Sequence, residues 1–241
     1  MEWHTLAEEL QRMQGKIVFI SSAKGGLGSV ITESFLTQGA TVIGASREIS
    51  AADFPQANFT PLTVDLTNPS EVRLAIGKVI ADHGRLDVLV HVLGGFAGGD
   101  PITATTDKTW EKMRKLNLDS AFYVLREAIP HLRKSSNGRI VAIGSLAAEE
   151  PHANLGAYVI FKTALTTLIQ TVALENADAG VTANVVLPAT MDTPGNRAAM
   201  PQEDVSKWVQ PQDVANLVLW LADDSARHVT GAAIPIEGGH A

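Results

Sequence analysis

Short apolar runs rich in β-branched residues alternate along this chain with segments whose apolar residues recur at helical spacing, and glycine or proline stands at many of the junctions. This alternation constrains the fold more than any other feature. Residues 16–20, 41–44, 60–64, 87–92, 139–143, 181–187 and 232–236 read as strands. Several are apolar almost without interruption, as strands covered on both faces require. Val30, Ile31, Phe35 and Leu36 define one helical face, and Val72, Ile76, Val79 and Ile80 another. Further helices are expected from about 107 to 134, 155 to 177 and 212 to 222. Such β-α repeats specify parallel β-α-β units with right-handed crossovers. The expected fold is α/β: a Rossmann-type doubly wound parallel β-sheet of about seven strands with helices on both faces. Residues 15–241 form a single domain, preceded over 1–14 by a helical extension with Trp3, Leu6, Leu10 and Met13 at helical spacing.

At 241 residues the chain can bury a large single core. Its net charge is −7 with Lys and Arg scattered, so no basic cluster is expected and nucleic acid is not an expected partner. The absence of cysteine excludes disulfides, thiolate catalysis and Cys-ligated metal, and a reducing cytoplasm is the expected compartment. The first residues lack the pattern of a signal peptide. No apolar run approaches the roughly 20 residues that cross a bilayer, so no membrane partner is expected. The seven histidines show no paired ligand spacing, and no metal is expected.

After the first strand comes Gly25-Gly26-Leu27-Gly28 and then a helix. Glycines there let the backbone turn tightly and approach a dinucleotide pyrophosphate at the helix N-terminus. The second strand ends Gly44-Ala45-Ser46-Arg47, without the carboxylate that would bind a 2′-hydroxyl. Ser46 leaves room for a 2′-phosphate, Arg47 can pair with it, and Lys24 adds positive charge nearby. NADP(H) is the preferred cofactor, with NAD(H) as the alternative.

Tyr158 and Lys162 lie four apart near the start of the long helix and project from one face. A free phenol is a poor acid–base group at neutral pH, and a nearby ammonium favours the phenolate. Ser145 follows the fifth strand at the sheet edge where ligands bind, and its hydroxyl can hold a carbonyl oxygen. Asn117, in the preceding helical region, can bridge Lys162 to water.

In order and spacing these pieces resemble the short-chain dehydrogenase/reductase family over about residues 15–239. The matching segments also include Val64-Asp65-Leu66, Leu116-Asn117-Leu118, Leu187-Pro188-Ala189 through Thr193, and Thr230-Gly231. The resemblance implies Asn117, Ser145, Tyr158 and Lys162 as catalytic residues. It implies cofactor contacts from Ser22, Lys24, Gly26, Leu27, Gly28, Ser46, Arg47, Asp65, Leu66, Gly94, Tyr158, Lys162, Pro188 and Thr193. Asp65 and Leu66 would flank the adenine, and Thr193 would contact the carboxamide. A small-molecule carbonyl substrate and a homo-oligomer, tetramer or dimer, are further implications. Three positions depart from the family pattern: Ser22 replaces the first loop glycine, His91-Val92-Leu93-Gly94 replaces Asn-Asn-Ala-Gly, and Ala189 replaces a glycine. Residues 94–99 and 187–197 also resemble the dihydropteridine reductase branch, whereas Ser145 resembles ordinary ketone reductases. A pteridine- or quinone-type reductase, or a catalytically silent NADP(H)-binding sensor, are the alternatives. Residues 190–208, with Pro194, Gly195 and Pro201, are expected to form a mobile lid in which Arg197 either meets an anionic substrate or faces solvent.

Overall fold

The computed structural model describes residues 12–150 and 152–239. The expected leading helix lies outside them except for its last residues, which belong to a turn. Seven strands form one all-parallel sheet: β1 (Ile17–Ser21), β2 (Thr41–Ser46), β3 (Phe59–Thr63), β4 (Val88–His91), β5 (Arg139–Ile143), β6 (Thr182–Pro188) and β7 (Ala233–Ile236). Their spatial order is β3-β2-β1-β4-β5-β6-β7, so the winding reverses between β1 and β4. Strand residues alternate between two cores. Phe19, Ile43, Ala142 and Val185 face one, and Val18, Val42, Val141 and Val186 the other.

The first core is covered by α2 (Pro69–His83), α4 (Ser120–Leu132) and α5 (Gly156–Glu175). The second is covered by α1 (Gly28–Thr37) and α7 (Pro211–Ala222). Helix α3 (Asp107–Arg114) runs into α4 through a π-helical turn, Lys115–Asp119, and α6 (Pro194–Ala199) is a short helix after β6. Helix α2 begins cleanly because the Asn68 side chain accepts from the Ser70 and Glu71 amides, and it ends at Gly84 in the left-handed region.

Helix α5 corrects one expectation: its 20 residues are long and apolar enough to meet the criterion for a membrane span. Its Leu165, Ile169 and Val172 pack instead into the first core, and Lys162 is buried on the same helix. The helix is apolar because it covers the sheet.

Candidate active site

In sheets of this kind ligands gather beyond the carboxyl ends of the strands, where the winding reverses. Two cavities open there. One, of about 890 Å³, is bordered by Ser22, Ser46, Arg47, Asp65 and Leu66. The other, of about 840 Å³, is bordered by Ser145, Tyr158 and Pro188.

The glycine loop is built from β1 upward. Ser22 takes φ +55°, a left-handed conformation that glycine adopts freely and that costs a side-chain-bearing residue about 1 kcal/mol. Gly25 N–H then donates to the Ser22 carbonyl at 2.9 Å. A Cβ on Gly28 would stand 2.0 Å from that carbonyl oxygen, so only glycine lets α1 start there. A Cβ on Gly26 would stand 3.2 Å from Thr193 Cβ, which brings the return loop after β6 against the glycine loop. The N-terminus of α1 has no side-chain cap and no acid in its first turn, and Leu27 turns its side chain into the core. Free N–H groups with no competing carboxylate are what a dinucleotide pyrophosphate requires. The loop fits such a group.

Arg47 is exposed at the end of β2 and makes no ion pair among the described residues. Lys24 differs from expectation. Its ammonium pairs with Asp53 at 2.8 Å, and that contact, chiefly its hydrogen bond, holds the Asp53 carboxyl below its usual range. The backbone N–H of Lys24 donates to Ser46 Oγ at 3.5 Å. Asp65 Oδ1 accepts from Thr67 N at 2.9 Å and Thr67 Oγ1 at 2.8 Å, and buried Leu66 supports it. Thr193 uses its hydroxyl to cap α6, accepting from Asn196 N at 3.2 Å.

At the second cavity Tyr158 of α5 shares the wall with Ser145 after β5, and Lys162, one helical turn along α5, is buried behind it. Phe96 packs edge-on against the Tyr158 ring, centroids 5.0 Å apart. Burial pushes the Tyr158 phenol above its ordinary pKa, and a hydrogen bond with Ser145 opposes that rise. The expected depression by Lys162 is not found. Lys162 instead donates to the Ile143 carbonyl at 2.9 Å, and burial lowers its own pKa to about 8.

Asn117 sits within the π-helical turn, a feature that is frequent at functional sites. Its Oδ1 accepts from Gly95 N at 3.0 Å, and its Nδ2 donates to Gly95 O at 2.9 Å and Met113 O at 3.1 Å. The side chain therefore fixes the loop after β4. A Cβ on Gly94 would lie 2.9 Å from Asn117 Oδ1 and 3.0 Å from Lys162 Nζ, so a glycine lets these two groups converge.

His91 stands where the family pattern has asparagine, and the parallel register sets it beside Ser21. Ser120 Oγ donates to the Leu116 carbonyl at 2.9 Å, so it accepts from His91 Nε2 at 3.4 Å. His91 Nδ1 then accepts from Ser21 Oγ at 3.3 Å. Ser21 Oγ in turn accepts from Val92 N at 2.8 Å and Leu93 N at 2.9 Å. This network assigns the Nε2–H tautomer. Burial, then the Lys162 charge, lowers His91 to about 3, so the ring is neutral.

Residues 190–208 are held at both ends by the Met191–Val209 bridge and buried Trp208. Arg197 donates through two N–H groups to Asp192, so its charge is already matched. The fold also gathers what the sequence leaves scattered. Lys108, Lys112 and Lys115 border the first cavity, and Glu149, Glu150 and Glu237 the second. The lysines' i, i+4, i+7 spacing was the one legible sign of a shared face.

A strand–glycine-loop–helix cradle beside half-buried Tyr158 and buried Lys162 and Ser145 defines a class, the nicotinamide-dependent oxidoreductases of Rossmann fold. Comparison with known proteins agrees. Residues 21–241 match the family model described as enoyl-(acyl carrier protein) reductase. The chain is 32% identical over 246 residues to a 2,5-dichloro-2,5-cyclohexadiene-1,4-diol dehydrogenase, LinX, of Sphingobium indicum, covering 95% of this chain and 97% of that one. It is 29% identical to the 3-oxoacyl-[acyl-carrier-protein] reductase FabG of Escherichia coli, covering 94% and 97%. Among solved structures, Thermoplasma acidophilum aldohexose dehydrogenase superposes with a TM-score of 0.86 at 29% identity, covering 94% of each chain. ElxO with NADP bound superposes with 0.88 at 26% identity, covering 93% and 98%. The chain belongs to the short-chain dehydrogenase/reductase family and is an oxidoreductase.

Proposed function

We propose that this enzyme reduces the carbonyl group of a small molecule with NADPH, using Tyr158 as the proton donor. The observation that carries the reading is the placement of the Tyr158 phenol, protonated at neutral pH, on the same cavity wall as Ser145 and one turn from Lys162. A phenol is the form a reductase needs at neutral pH. The nicotinamide, when bound, supplies a hydride to the carbonyl carbon and is itself oxidised. Ser145 orients the carbonyl oxygen. As the C=O π pair collapses onto that oxygen, the Tyr158 O–H bond breaks and its proton passes to it, leaving alcohol and phenolate. Lys162, an ammonium below about pH 8, does not lower the phenol's pKa in this structure and would hold the nicotinamide ribose when the cofactor is bound. Asn117 and Gly94 keep the intervening loop out of the way of these groups.

Preference for NADP(H) is supported by unpaired Arg47 and by Ser46 at the end of β2, where an NAD site carries a carboxylate. The NADP-bound state of ElxO is consistent with it. Homo-oligomerisation is part of the proposal. Leu165, Ile169 and Val172 belong to the core, but Phe122 on α4 and Ile160 on α5 remain exposed and suit a shared interface.

The test is oxidation of NADPH and NADH against neutral ketones, quinones and pteridines. The reading expects turnover with NADPH on ketones. Turnover confined to pteridines or quinones would replace the substrate half of the proposal, and preference for NADH would remove the cofactor half.

A further inference from the structure

The first cavity has two walls, and only one of them belongs to the glycine loop and β2. The other is the face of α3 and its π-helical extension that carries Lys108, Lys112, Lys115 and Leu116. Met113 and Asn117 are buried on the opposite side, which fixes which face looks outward. Glu111 shares the lysine face, but its carboxylate is held by Arg114 at 2.9 Å. None of the three lysines has an ion-pair partner among the described residues, as is also true of Lys134 and Lys207, but of these five the three alone border this cavity, together with Arg47. Arg47, across the cavity, is unpaired too.

Five cations border the space (Lys24, Arg47, Lys108, Lys112 and Lys115) against three carboxylates (Glu48, Asp65 and Glu111). Lys24 and Glu111 are neutralised by Asp53 and Arg114, leaving four cations against two carboxylates. Between the walls lie Val64, Leu66, Leu93 and Leu116. The cavity is thus an apolar slot for a flat base with positive charge on both sides, in a chain whose net charge is −7. The cavity, rather than the missing acidic partners, sets this helix face apart from a solvated one.

We propose that Lys108, Lys112 and Lys115 form a second phosphate-binding wall, holding the phosphorylated adenosine ribose of the cofactor opposite Arg47. This rests on the NADP(H) reading and deepens it. Specificity for the 2′-phosphate then resides in two elements on either side of the adenine slot. Three flexible ammonium groups on partly solvated stems would act as point charges, sensitive to salt, while Arg47 supplies directed hydrogen bonds.

The test is binding rather than turnover. The wild type, a Lys108→Gln/Lys112→Gln/Lys115→Gln variant and Arg47→Gln are titrated calorimetrically with 2′,5′-ADP and 5′-AMP, which differ by the 2′-phosphate. The triple variant is expected to lose about tenfold in affinity for 2′,5′-ADP and less than about threefold for 5′-AMP, with the difference shrinking as salt is added. Lys112→Glu alone should lose more than Lys112→Gln, with an unchanged thermal transition showing that the fold is intact. If the triple variant binds 2′,5′-ADP as the wild type does while Arg47→Gln fails to, the lysine wall is overturned and the cofactor reading stands. An equal loss for both nucleotides also overturns it, since the lysines would then serve only general attraction. A wild type that does not prefer 2′,5′-ADP removes the cofactor reading and the lysine wall together.

Discussion

The two cavities at the carboxyl edge of the sheet are close in size and opposite in charge. The first is bordered by Arg47, Lys108 and Lys112 of α3, and Lys115 of the π-helical turn. The second carries Glu149, Glu150, Glu237 and His152, with no lysine or arginine on its wall, and Phe96, Leu155 and Met200 supply apolar surface. Arg197, the cation nearest in sequence to that wall, is already paired with Asp192. The difference teaches that net charge says little about what a protein of this fold binds. A chain of net charge −7 gathers cations around one cavity and the carboxylates Glu149 and Glu150 around the other, which on the proposed function are the cofactor and substrate cavities. The second cavity therefore suits neutral or cationic carbonyl compounds better than carboxylates or phosphates. Gly94 and Asn117 adjoin Leu93 and Leu116 of the first cavity, Lys162 is one turn from Tyr158 of the second, and the contact of Gly94 with Asn117 and Lys162 makes this group the seam between the two.

The largest effects belong to that seam. Replacing Lys162 by Met is expected to lower turnover by about 10²–10⁴-fold. In the wild type, reduction should fall as pH rises through about 8, because the ammonium loses its proton there. Stability should move the other way. An unfolded lysine titrates near ~10.4, so between the two pKa values the unfolded chain holds the extra proton and raising pH favours the folded one. Rate and urea midpoint measured across that range must diverge, and a flat rate profile would break the assignment.

Next is His91→Phe, which leaves Ser21 and Ser120 without their shared partner and should cost about 2–3 kcal/mol in urea unfolding. The neutral ring also predicts acid sensitivity. Below an unfolded-state pKa of ~6.5, and down to about 3 in the folded chain, only the unfolded state takes up this proton. Stability should therefore fall by up to about 1.4 kcal/mol per pH unit as pH drops through that window, and the variant should lose this slope.

The charge contrast is sharpened by Glu149→Gln/Glu150→Gln. That variant should raise kcat/KM for a carboxylate-bearing ketone by about three- to tenfold relative to its neutral amide, with NADPH affinity unchanged. Equal effects on both substrates would show that the rim does not select charge. The smallest effect is Ser22→Gly, which relieves the left-handed serine against the added freedom of glycine in the unfolded chain. A gain of up to about 1 kcal/mol in thermal stability is expected.

The sheet was legible because buried parallel strands are apolar and punctuated by glycine. Expected strand limits agree with the observed ones at both ends only for β5; the other six differ by one or two residues, where pairing rather than hydrophobicity decides the end. The fold brings Ser145 and Tyr158 to one cavity and Ser22, Ser46, Arg47 and Asp65 to the other, as their order after successive strands implied. Partnerships were not legible. Nothing in the spacing told that Asp53 would take Lys24, that Asp192 would take Arg197, or that His91 would lie between two serines 70 and 29 residues away. Lys108, Lys112 and Lys115 look like any solvated helix face until β2 is set across from them.

Tyr158 is where the account is most exposed. Tyr158→Phe removes one hydroxyl and keeps the ring that packs on Phe96. NADPH binding, followed by fluorescence titration, and ketone reduction should be measured on the same preparation. The account predicts affinity within about twofold of wild type and turnover reduced by about 10²–10⁴-fold. Turnover retained with binding intact would contradict it and require a different proton donor.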